Sequence, residues 1–225
     1  HDSHHAFFNA LMLTADPCLR AMADEWCDTW MAAHDPASGN PTIAGPDSER
    51  AGRSLLTGCE PFWATGREDV RRMLADRVMR SYVPAYTAFE ARLRAVGSTV
   101  QLAMIYGPSV QAGGLPEDHW RPWEAAILGV AMEAVARVCA GMPESAAARN
   151  LSQQLCCTVA QSGWQKRADG TWQIAVALPI NPERMPGASD YAYLNLNNLS
   201  AVPYTFQQGV FEQRLLLDAL IELEI

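Results

Sequence analysis

The sequence predicts an α+β protein: a mainly helical domain with a small antiparallel β element in its C-terminal third. Three observations lead there. Apolar residues recur at helical spacing through most of the first 160 positions; several of these runs open on N-cap or proline signals; and the period drops to two near Trp172. The expected organisation is a mainly helical region over 1–160 and a β-containing region over 161–225, packed on one core as a single domain.

The first strong helix opens at Asp16-Pro17, where a carboxylate can cap the turn and proline fills a position that needs no N–H donor. Leu19, Met22, Ala23, Trp26 and Trp30 then share one face as far as about Ala33. Ahead of it, Phe7, Phe8, Leu11 and Met12 predict a short helix. Residues 35–47 have the Pro, Gly, Ser and Asp content of a loop. A short helix over Ser48–Leu56 follows. Thr65-Gly66-Arg67-Glu68 has the spacing of a capping box and introduces a helix carrying Val70, Met73, Leu74, Arg77 and Val78.

Pro84 begins or kinks the next segment, marked by Tyr86, Phe89, Leu93 and Val96, after which Val100, Leu102, Met104 and Tyr106 alternate. The most apolar helix runs from about Pro122 to Cys139, with alanines that let a neighbour approach closely. Gly141 and Pro143 end it, and another helix covers about Glu144–Ala160. Trp172, Ile174, Val176 and Leu178 then alternate as in a half-buried strand, joined by a loop at Arg167–Gly170 to a strand starting near Trp164. Tyr191 and Tyr193 suggest a further strand. Gln213–Ile225 fits a helix or a strand, with Arg214 and Asp218 one helical turn apart.

Composition narrows the function. At 225 residues with 49% apolar and 19% charged side chains, the chain is long and apolar enough to build a core. Its 25 acidic and 17 basic residues give a net charge of −8, which disfavours global attraction to nucleic acid or anionic membrane. No stretch reaches the roughly 20 continuous apolar residues of a membrane span. A cytoplasmic location is expected, or a secreted or periplasmic one if a leader has been removed. Cys18 and Cys27 lie about 13 Å apart along one predicted helix, beyond disulfide reach, and there is no Cys-x-x-Cys pair, so reduced, packed cysteines are expected.

Chemistry-bearing residues are scattered. His1, His4 and His5 offer imidazole ligands for copper, nickel or zinc, but Ser3 occupies the position where a square-planar amino-terminal motif needs histidine. Asp24 and Asp28 share a helical face and could combine with His34 and His119, yet no Glu-x-x-His pair supports a metal centre. No metal and no cofactor is therefore expected. His119 lies in the segment Glu117-Asp118-His119-Trp120-Arg121-Pro122-Trp123, where a neighbouring carboxylate could orient it as a general base. Cys59, expected on a loop, could pair with it as a nucleophile. Phosphate-binding, dinucleotide and Gly-x-Ser-x-Gly signatures are missing.

Between Arg67 and Arg94 seven arginines face four acids, a local balance of +3 in an acidic chain. The leading expectation is a non-catalytic interaction, adaptor or assembly protein that binds another protein through Arg72, Arg80, Trp120 and Trp123. The alternative is a small metal-dependent or cysteine-based enzyme centred on His119. Nucleic-acid binding through the Arg67–Arg94 stretch ranks below both, because no interleaved aromatic residues accompany it.

Overall fold

The computed structural model describes residues 10–34, 48–98, 119–166, 172–174 and 178–181. After a helical turn at 10–14, the elements are α1 (Pro17–His34), α2 (Ser48–Thr65), α3 (Glu68–Arg77), a π-helical turn (Val78–Tyr82) and α4 (Val83–Ala95). Then come β1 (His119–Trp120), α5 (Pro122–Val138), α6 (Pro143–Ser162), β2 (Trp164–Lys166), β3 (Trp172–Ile174) and β4 (Leu178–Pro179). The architecture is mostly helical with a small antiparallel β component in the C-terminal part. The sequence expectations at Phe7, Val100–Tyr106, Tyr191, Tyr193 and Gln213–Ile225 lie outside the described residues.

The helix starts follow local chemistry. Asp16 Oδ1 accepts the Cys18 amide at 2.7 Å, so the predicted cap of α1 is formed. Pro122 and Pro143 occupy the first turns of α5 and α6, where their missing N–H leaves no bond unmade. Gly141, at φ +85°, supplies the left-handed residue in the tight link between those two helices.

α5 is the centre of the core. Ala125, Leu128, Ala131, Met132, Val135 and Val138 are all buried, and so are residues on its other faces. A helix that is apolar all round has to be covered on several sides. α2 and α6 cover it at two close approaches. At Gly52 of α2 an added Cβ would lie 2.9 Å from Ile127 Cγ2. At Gly129 of α5 it would lie 2.8 Å from Cys156 Sγ of α6. Ser152 Oγ donates to Gly129 O at 2.7 Å across that second contact, satisfying a buried hydroxyl.

The N-terminal helices join the core through Trp30. Its indole N–H donates to Ser54 O at 2.9 Å, the Arg77 guanidinium lies 5.6 Å from its ring centroid, and Gly58 sits directly against its six-membered ring. One side chain of α1 therefore touches both α2 and the end of α3.

Three expectations need correction. α2 does not stop near Leu56; it continues through Pro61 to Thr65. Leu55 and Cys59 are fully buried and Phe62 packs on the core, so apolar contact outweighs the roughly 3 kcal/mol that an interior proline costs. The capping box is not formed. Thr65 closes α2 by donating to Pro61 O at 2.6 Å, Gly66 turns the chain at φ +70°, and Arg67 is the N-cap of α3 with no side-chain cap bond. The alternating run from Trp172 also serves two partners rather than one. β3 pairs with β2 (Trp164↔Ile174, Gln165↔Gln173, Lys166↔Trp172), whereas β4 pairs with β1 (His119↔Pro179, Trp120↔Leu178).

The π turn has two causes in the sequence. Val70, Leu74, Val78, Tyr82 and Tyr86 are buried at spacings of four. On an unbroken α-helix each such step advances about 40° beyond a full turn, so the stripe would leave the core. The wider turn takes back part of that rotation. Pro84 adds a steric reason, since its ring clashes with the carbonyl four residues earlier in an α-helix. Here the Val83 amide reaches five residues back to Val78 O.

Gly58→Ala places a methyl 2.4 Å from Trp30 Cζ2, in a site where the indole is already held by its bond to Ser54 O and by the Arg77 guanidinium. The expected loss is about 1–3 kcal/mol in urea unfolding. An unchanged midpoint would show that Trp30 can move aside.

Candidate functional site

The arginine stretch separates into two sets. Arg67, Arg71 and Arg77 point inward. Arg67 extends from the α2–α3 junction to α1, with Nη1 2.6 Å from Asp28 Oδ1 and 3.0 Å from Asp24 O. Its Nη2 and Nε meet both oxygens of Asp69, at 2.6 and 3.1 Å. This two-bond pairing raises the Arg67 pKa further, chiefly through Asp69, and holds the Asp69 carboxyl below the usual carboxylate range.

Arg71 closes the far end of the central helix. Its Nε donates to Val138 O at 3.0 Å and its Nη2 to Ala140 O at 2.5 Å, while Nη1 lies 3.3 Å from Glu68. The last carbonyls of a helix have no partner within it, and they carry the negative end of its dipole. Arg20 performs the same task for α2, donating to Thr65 O at 2.6 Å and to Ala64 O at 3.4 Å. Guanidinium groups from one helix thus finish another.

Arg72 and Arg80 belong to the outward set, with side chains 75% and 78% exposed. Each has an acid one turn before it: Glu68 lies 3.8 Å from Arg72 and Asp76 lies 2.7 Å from Arg80. Arg94 pairs with Glu90 in the same way. Such exposed pairs contribute only a few tenths of a kcal/mol. Met79, next to Arg80 in the π turn, is also exposed.

The four residues expected to form a partner surface do not share one environment. Arg72 and Arg80 face solvent. Trp123 is half-buried against the core, and Trp120 is wholly buried with 1% exposure. Trp120 sits on β1 opposite Leu178, so its indole is a packing group.

His119, on the same short strand, is 0% exposed. Glu117 and Asp118, the acids expected to orient it, lie outside the described residues, as do His1, His4 and His5 and the side chain of His34. Asp24 lies 3.5 Å from Arg20, and Asp28 pairs with Arg67. The two carboxylates proposed as ligands from the sequence thus have cationic partners. Among the described residues, no three His, Cys, Asp or Glu side chains are grouped to hold a metal ion.

All six cysteines are free thiols. Cys59 is not on a loop, as the sequence suggested, but on the inner face of α2 with no exposed surface. Burial pushes its pKa well above the ordinary 9.0, because the thiolate would lose its hydration. The same cause raises Cys139 to about 11 and Cys156 to about 12. Neutral thiols of this kind are weak nucleophiles. Tyr82 is likewise buried and its phenol pKa is raised by desolvation, partly opposed by the Arg77 charge.

Two residues with defined tasks, Arg71 and Arg20, carry no sequence signal, since each acts on backbone carbonyls far along the chain. No family model, curated protein or solved structure matches this chain.

Iodoacetamide on the native protein should label the exposed Cys18 and spare Cys59, Cys139 and Cys156 until unfolding, as read by peptide mass mapping. The buried thiols also set an alkaline limit. Their folded pKa values are raised, so the unfolded chain ionises first; their contribution is intact below pH 9 and is lost as pH rises toward 11 for Cys139 and 12 for Cys156. Urea midpoints measured between pH 8 and 11 should fall, and fall less steeply in Cys156→Ala.

Removing the Arg71 guanidinium should leave the Val138 and Ala140 carbonyls without their donor. Arg71→Met is expected to cost about 1–3 kcal/mol, whereas Arg72→Met one residue away costs under about 0.5 kcal/mol. Equal losses in denaturant titrations would deny Arg71 its capping task.

Proposed function

We propose that this chain is a non-catalytic interaction, adaptor or assembly protein that binds another protein through the outer face of α3 and the π turn. The observation that carries the reading is the division of the arginines. Arg67 and Arg71 are committed to internal carbonyl and carboxylate partners, whereas Arg72 and Arg80 are held outward beside the exposed Met79. Exposed guanidinium groups, each beside an acid, together with the exposed Met79 form a mixed polar and apolar helical face that suits docking onto a folded partner.

Trp123, half-buried at the start of α5, is a further candidate contact, whereas the buried Trp120 is a core packing group and drops out of the surface. The burial of His119 and the raised pKa values of the core thiols favour binding over group-transfer chemistry at those positions. No helix among the described residues is long and apolar enough to cross a membrane.

The test compares capture of partners by the native chain and by an Arg72→Glu/Arg80→Glu variant. Both arginines are exposed, and their helix pairs are weak, so the variant should keep its helical circular dichroism and lose less than about 1 kcal/mol of stability. The expected result is a protein retained by the native chain and lost, by tenfold or more in affinity, with the variant. Association unaffected by the reversal would exclude this surface. Salt-sensitive binding to duplex DNA, also lost in the variant, would make the partner a nucleic acid instead.

A further inference from the structure

We draw no further inference here: the strongest candidate, the exposed apolar side chains of Met12, Leu13 and Met22 on the N-terminal helical turn and α1, carries none because nothing in the structure shows what covers them.

Discussion

The enclosure of α5 is the constraint on which the other elements depend. Its apolar residues occur around the whole helix, so a single covering layer would leave much of it wet. α2 and α6 meet it where glycine removes a side chain from one of the facing backbones, at Gly52 and at Gly129. Those approaches fix the spacing of three helices. α1 then attaches to α2 through Trp30, and α3 attaches to the end of α5 through Arg71. Replacing either glycine would separate layers whose dispersion contacts decline steeply with distance.

Charge in this protein has a largely architectural use. A guanidinium presents several donors in a flat fork, which suits a helix end with two or three unmatched carbonyls better than a lysine ammonium would. Arg20 and Arg71 exploit that geometry over sequence separations of more than forty residues. Arg67 works differently, binding two carboxylates and a carbonyl where the chain turns between α2 and α3. The local excess of positive charge is consequently smaller at the surface than along the sequence. What remains outside is a short row of arginines alternating with acids.

Sequence reading succeeded where the signal is local. Asp16-Pro17, Pro122, and the Gly141–Pro143 break act within one helical turn, and each marks the element end that the structure contains. The hairpin of β2 and β3 was legible from alternation and an intervening turn. Failures share a different origin. The run of α2 beyond Leu56 and through Pro61 left no local signal, because the burial that carries it comes from residues elsewhere in the chain. Thr65 looked like a cap for the following helix because its bond to Pro61 O leaves no trace in spacing. For the site, the pattern gave the positions of the arginines but not their directions. It also assigned Trp120 to a partner surface and His119 to a general-base role without their burial, since the pairing of β1 with Leu178 and Pro179 joins segments more than fifty residues apart.

The π turn bears on how this fold tolerates changes in length. Along α3 and α4 the inward residues are spaced for a path wider than an α-helix, and the extra span is concentrated between Val78 and Tyr82. Excising one of the outward residues Met79 or Arg80 would shorten one inward step from four to three and keep Tyr86 and Leu93 on the core side. The same excision within α3 would rotate everything downstream by about 100°. Natural chains of differing length could thus align at this turn without reorienting the helix beyond it, provided that the proline at 84 is exchanged as well.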